Sequence, residues 1–275
     1  MKIGVLKCTL GLLALIGLQI LRVSYHTFPS TLTAVDHQMS SLFLNQRKTA
    51  TCFLHPKWQL VWRDEFEGEQ VNRSKWTLEE GWLDKNNELQ FYHPNQVKVD
   101  QGKLRIETNK SYQSGALHTK DKWRFLYGRV EIRARLPRGQ GIFPAFWMLP
   151  NQDETWLPEI DIIELLGHEP DRVWMVVHGL ENDRLRSDSA SFKGPDFSET
   201  FHTFVLEWSK DELIWLIDGV ERYRTTSFVP QVPMYLYLNT AVGGDWPGSP
   251  DETTKFPQTY EVDYIRVYQL KEGER

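Results

Sequence analysis

From residue 58 onward the apolar residues come in short runs, and turn-forming residues divide them. QLVWRDEF, KVDQGKLRIET, YGRVEIRARLP, FHTFVLEWSKDELIWLIDGVE, MYLYLNTAVGG and YEVDYIRVYQ are the clearest. In GRVEIRARL, Val130, Ile132, Ala134 and Leu136 alternate with Arg129, Glu131, Arg133 and Arg135. A period of two residues puts one set on each face of a strand, apolar side chains toward a core and charged ones toward water. LEWSKDELIWLIDG reads as a hairpin turning at Ser209 to Asp211. No long helical period, internal repeat or low-complexity tract is present. Many short strands around one core predict an all-β, antiparallel sandwich.

One run breaks the alternation. EIDIIE carries Glu159, Asp161 and Glu164 among Ile160, Ile162 and Ile163. Glu159 and Asp161 share a face, and Ile160 and Ile162 share the other. A regular strand would leave Glu164 on the isoleucine side. A β-bulge that absorbs one residue between Asp161 and Glu164 returns it to the acidic face, and bulges are common beside active sites. In a helix Glu159 and Glu164, five apart, would not share a face, and the β-branched residues favour a strand. Taken alone, the pattern fits either a catalytic face or the solvated face of an edge strand.

The 275 residues, 40% hydrophobic, suffice for one large core. A net charge of −5 supplies no basic field and argues against a nucleic-acid partner. Eleven Trp and ten Tyr exceed what a core alone tends to need. They suit either packing or the flat apolar faces of sugars. Lys2 and Lys7 precede an apolar run from Cys8 to Leu21, broken by Thr9 and Gln19. Residues 1–25 therefore read as a signal peptide or an uncleaved signal anchor, with 8–21 as the membrane segment in the second case. Either way the body is exported, to a secreted, periplasmic or cell-surface location. A polar spacer follows over 26–56, and the folded domain is expected over 57–270. With only Cys8 and Cys52, both before that domain, no intradomain disulfide and no CxxC metal site can form.

EIDIIE resembles the E-x-D-x-x-E signature of glycoside hydrolase family 16, in its laminarinase-like branch, whose extra residue makes the bulge. LVWRDEFEG, NNELQFY, YGRVEIRARLPRGQGIFPAFWMLP, FHTFVLEWSKDELIWLIDG, MYLYLNTAVGGDWPGSP and FPQTYEVDYIRVYQ resemble family segments in the same order. The resemblance implies a β-jelly roll, a concanavalin A-like sandwich of two curved antiparallel sheets, with the acidic strand lining a groove. It implies a retaining endo-β-glucanase acting on β-1,3 or β-1,3/1,4 linkages of a polysaccharide; nothing in the sequence points to an obligate partner protein, so a monomer is expected. Glu159 would be the nucleophile, Glu164 the acid/base, and Asp161 the residue that holds Glu159. Two carboxyls serve such a reaction when they come within about 5–5.5 Å of each other. Three acids so close cannot all ionise easily, so they titrate as a set with at least one pKa raised.

The resemblance further implies substrate contacts from Trp147 and Trp246 by stacking, and from Asn87, Arg129, Asn239 and Gln258. His178 would stand on the neighbouring strand near the acid/base, although a core histidine fits the same position. No cofactor is implied for catalysis. A structural Ca²⁺ is implied away from the site, held by Glu65, the carbonyl of Gly102 and Asp263, since this ion takes hard oxygen ligands. Two stretches depart from the family pattern. Leu83 to Lys85 stand where small residues are common, and Gly179 stands in an aromatic's place. A charged segment with Glu181, Asp183, Arg184, Arg186 and Asp188 follows. Next to the groove it could read an anionic or substituted polysaccharide; otherwise it is a solvated loop. An exopolysaccharide-trimming glycanase, a transglycosylase of the same family and a non-catalytic glucan-binding lectin are the rival readings.

Overall fold

The computed structural model describes residues 57–83, 85–152 and 155–273. The expected leader and spacer, and both cysteines, lie outside the described residues. In chain order the strands are β1 (Trp58–Asp64), β2 (Thr77–Leu78), β3 (Gly81–Trp82), β4 (Phe91–Tyr92), β5 (Val97–Asp100), β6 (Lys103–Thr108), β7 (Gln113–Ser114), β8 (Ala116–His118) and β9 (Gly128–Arg135), then β10 (Ile142–Pro150), β11 (Glu159–Leu165), β12 (Arg172–Glu181), β13 (Arg184–Lys193), β14 (His202–Trp208), β15 (Leu213–Ile217), β16 (Val220–Thr225), β17 (Met234–Val242) and β18 (Gln258–Leu270).

A seven-stranded sheet runs β13-β12-β11-β10-β17-β8-β2, and an eight-stranded sheet runs β16-β15-β14-β9-β18-β6-β5 with β1 also on β18. The pairing in both is antiparallel, as expected. A small third sheet, β3-β4-β7, lies beside them. The core forms where the inner faces of the two large sheets meet. Val130, Ile132 and Ala134 of β9 enter it from one side, and Ile160, Ile163 and Leu165 of β11 from the other. The β14–β15 hairpin turns through residues 209–212, where Ser209 Oγ accepts from the amides of Asp211 and Glu212 at 3.2 and 3.1 Å. The β15–β16 turn places Asp218 and Gly219 at φ 51° and 75°, as a two-residue turn between twisted strands requires.

The polar set of β9 covers the outer face of the eight-stranded sheet, and this corrects one expected substrate contact. Arg129 lies there, across the core from β11. Its guanidinium donates to Glu131 at 2.9 Å and Glu207 at 2.6 Å. The alternation that buries Val130 is the same one that turns Arg129 away from the acidic strand. Gln258, at the start of β18, is likewise spent on structure. Its amide accepts from the Arg138 amide at 3.1 Å and donates to the Lys255 carbonyl at 2.5 Å.

The proposed calcium ligands are taken up by arginines in this structure. Glu65 accepts two 2.8 Å bonds from Arg266, and Asp263 accepts one at 2.7 Å from Arg133. Gly102, at φ 70°, makes the turn between β5 and β6. Carboxylates neutralised by guanidinium groups do not offer the free negative oxygens a hard cation needs, so these positions as arranged do not fit Ca²⁺.

Candidate active site

The acidic strand is bulged where its sequence demands. In β11–β12 pairing, Glu159 faces His178, Asp161 faces Val176 and Glu164 faces Trp174, with the register shifting between Asp161 and Glu164. In β10–β11 pairing, Asp161 faces Trp147 and Ile163 faces Phe146, so Ile162 is the extra residue. All three isoleucines are buried in the core. The Asp161 carbonyl accepts a 3.0 Å bond from Trp215 Nε1, which reaches across the core from β15. That bond satisfies a backbone acceptor beside the bulge and ties the acidic strand to the opposite sheet. Glu159, Asp161 and Glu164 thus share the face of the seven-stranded sheet that is turned away from the core.

Asp161 is buried, while Glu159 and Glu164 keep part of their surface open. Burial pushes the Glu164 carboxyl well above the usual range, and the charges of Asp161 and then Glu159 push it further. Burial also raises Glu159 well above that range, with Asp161 adding to it. Asp161 is raised by burial, with His178 and then Lys85 opposing. Asp161 Oδ2 has no hydrogen-bond partner. His178 Nε2 stands 3.3 Å from it and 3.8 Å from Glu159 Oε1, close enough for ion pairing. The opposite ring nitrogen, Nδ1, is 2.6 Å from Ser187 Oγ. His178 therefore flanks Asp161 and Glu159, not Glu164 as expected, because it pairs in register with Glu159. One atom each of Glu159, Asp161 and His178 lie within 4.8 Å of one another, the type of donor set that binds a divalent ion. Here Nδ1 of the imidazole is hydrogen-bonded to Ser187, and Nε2 faces the two carboxylates.

An aromatic floor continues from the acids across β10, β17 and β8. Trp147 pairs with Asp161 on one side and Tyr237 on the other, and Tyr237 pairs with His118. Trp147 and Tyr237 join Tyr92, Ala116, Ala145, Leu149 and Tyr235 in a second apolar cluster outside the core, and the His118 ring stacks on Tyr237. Asn239 is buried and locks it. Its Oδ1 accepts from Trp147 Nε1 at 2.8 Å, and its Nδ2 donates to Tyr92 Oη at 2.8 Å. Asn239 thus orients Trp147 instead of meeting a ligand. Tyr237, His118 and Tyr92 were not singled out in the sequence, since nothing local distinguishes an aromatic facing outward from one facing the core.

Loops supply the rim. Trp246 is 44% exposed and meets Trp174, the cross-strand partner of Glu164, edge-on at 5.5 Å. Asn87 lies on the same rim and donates to Asp245 at 2.8 Å. Trp156, 48% exposed, lies edge-on to His178 at 5.9 Å, and Trp82 is 67% exposed. Neither was expected. An unpaired aromatic among polar residues, as in DETWLP, was the available signal. Lys85 stands 4.6 Å above the Trp147 ring.

The charged segment does not line this face. Asn182 and Asp183 form a tight turn, and the charges belong to a hairpin of β12 and β13. In the β12–β13 register Gly179 faces Arg186, on the side where Val177 enters the core. A Cβ on Gly179 would meet Phe228 Cβ at 2.8 Å and its ring at 2.9 Å, so an aromatic from elsewhere in the chain fills that space. Arg186 pairs with Glu181 at 3.4 Å and Asp188 accepts from Thr225 at 2.5 Å. The residues turned toward the acids are Leu180, Leu185, Ser187, Ser189 and Ser191.

The model of "Glycosyl hydrolases family 16" matches residues 85–266. A "Beta-glucanase" of Rhodothermus marinus is 35% identical over 251 residues, 79% of this chain and 87% of its own length. A "Glucan endo-1,3-beta-glucosidase A1" of Niallia circulans is 34% identical over 255 residues, 76% of this chain; the match spans only 37% of that longer protein. Among solved structures, the catalytic domain of an endo-1,3-β-glucanase (laminarinase) from Thermotoga petrophila superposes with a TM-score of 0.73. It is 38% identical, over 78% of this chain and 99% of that one.

Proposed function

The chain belongs to glycosyl hydrolase family 16, and from that premise we propose that it is a laminarinase-type endo-1,3-β-glucanase that retains anomeric configuration. One observation carries the reading: the bulge in β11 turns Glu159, Asp161 and Glu164 to a single face beside the Trp147 platform. The names of the relatives supply the linkage. The Glu159 carboxylate attacks the anomeric carbon as Glu164 gives its proton to the departing oxygen, leaving a glycosyl ester on Glu159. Glu164, now ionised, takes a proton from water, and the oxygen of that water attacks the same carbon and frees Glu159. Burial and two acidic neighbours keep the Glu164 proton in place above the usual carboxyl range, as a general acid requires. Asp161, held in turn by His178, stands between the two glutamates.

Proton NMR of the first products from laminarin, made with the 57–275 chain, tests the stereochemistry: the β-anomer is expected to form before mutarotation. Glu159→Gln is expected to abolish turnover while calorimetry still shows laminari-oligosaccharide binding. Substantial hydrolysis by that variant, or an initial α-anomer, would overturn the assignment. The basic-then-apolar leader supports export, and detection of the full chain only in the cytoplasm would overturn that part.

A further inference from the structure

Lys85 has no task in the mechanism above, yet it is held over the floor of the site. Its ammonium lies 4.6 Å from the centroid of the Trp147 ring, the surface on which a sugar ring would stack. The segment that delivers it is anchored on both sides. Leu83 packs against the aromatic cluster that contains Trp147. Downstream, Asn86 and Asn87 take φ values of 54° and 55°, which suit asparagine better than most residues. The Asp245 amide donates to the Asn86 carbonyl at 2.9 Å, Asn87 Nδ2 donates to Asp245 Oδ1 at 2.8 Å, and the Leu89 amide donates to the Val242 carbonyl at 2.7 Å. The Lys85 charge acts on Glu159, Asp161 and Glu164, drawing each carboxyl down against burial, so the ammonium belongs to the site and not to its outskirts.

We propose that Lys85 is a specificity-determining residue: the sugar bound over Trp147 carries an anionic substituent, a carboxylate or a sulfate ester, that pairs with the Lys85 ammonium. The proposal rests on the β-1,3-glucanase reading and narrows its substrate class. A neutral ring must push the ammonium off the indole face and forfeit the cation–π attraction without replacing it. A ring with an anion can stack while the ammonium shifts to its substituent, gaining a charge-assisted hydrogen bond next to buried apolar surface. Among the described residues, Glu79 on this floor already has partners: it meets His118 at 3.2 Å and accepts from Tyr237. His178 serves Asp161 and Glu159.

The test compares laminarin, lightly carboxymethylated laminarin and lightly sulfated laminarin on wild type, Lys85→Ala and Lys85→Arg, all at one pH. Lys85 is exposed, so the substitutions leave the core untouched. Wild type and Lys85→Arg are expected to favour at least one charged polymer over laminarin by about tenfold in kcat/KM. In Lys85→Ala, KM for laminarin is expected to fall while kcat/KM for the charged polymer also falls. Taking the ratio of substrates on one enzyme cancels any change in carboxyl ionisation caused by the lost charge. A ratio that favours laminarin in wild type, or that is the same in Lys85→Ala, overturns the proposal and leaves the glucanase reading standing. Failure to cleave any of the three overturns both.

Discussion

Trp215→Phe is the perturbation that asks whether the opposite sheet holds the acid-bearing bulge in place. Trp215 is buried, and its indole N–H is the donor to the Asp161 carbonyl at 3.0 Å. Phenylalanine keeps an aromatic ring in the core but cannot donate. The stranded carbonyl costs about 1–3 kcal/mol, and the volume lost from the ring adds about 1–2 kcal/mol. At about 2–4 °C per kcal/mol for a domain of this size, Tm should fall by about 4–20 °C. Trp208→Phe provides a matched control, since Trp208 is also buried and its Nε1 donates to the Pro230 carbonyl at 3.1 Å, away from β11. Both variants should lose similar stability by thermal unfolding. Only Trp215→Phe should lose kcat, by about ten- to a hundredfold, because small displacements of reacting groups are costly. Assays run well below both melting temperatures separate the two effects. Equal kcat in the two variants would refute the claim that this bond positions the acids.

Three further outcomes are expected. Glu164 and Glu159 have folded pKa values raised above their unfolded ones, so the folded state holds extra protons in that interval and stability falls as pH rises through it. Glu164→Gln removes one such group and should raise Tm relative to wild type at pH 8 but not at pH 4; an unchanged difference across that range would count against the burial argument. Arg129→Met leaves Glu131 and Glu207 without their cation and should destabilise the domain by about 3–5 kcal/mol. KM for laminarin should stay at its wild-type value below Tm, and a raised KM would return Arg129 to the substrate site. Because Glu65 and Asp263 are paired with arginines, neither chelator nor added Ca²⁺ should move Tm, and a shift of several degrees in either direction would restore the metal site.

The sequence was most informative where backbone periodicity and burial impose the same choice. The two faces of β9, the hairpin after β14 and the bulge in β11 each follow from alternation set against the need to bury isoleucine, valine or leucine. Arg129 shows the limit of a resemblance carried over one residue at a time: the period that correctly buries Val130 already assigned Arg129 to the outer face. Lys85 was legible only as part of a departure from the family pattern and Trp156 only as an aromatic among polar residues; that Lys85 reaches the Trp147 ring depends on a loop path held by distant anchors such as Asp245. The charged 181–188 segment was legible as polar but not as a hairpin. Its turn uses Asn182 and Asp183 in left-handed conformations, and only the strand pairing shows that its charges face away from the acids.

The bulge also changes what a small deletion in the gene would do. In most strands, losing one codon turns every later side chain to the wrong side of the sheet. In β11, deleting Ile162 would leave Glu159, Ile160, Asp161, Ile163, Glu164 and Leu165 in plain alternation, acids on one side and apolar residues on the other. What would be lost is the local kink, and with it the spacing between the glutamates and the tilt that brings the Asp161 carbonyl to Trp215. At this one position, a length change that would scramble an ordinary strand becomes a step between two spacings of the acids on one face, with the acids in the same order.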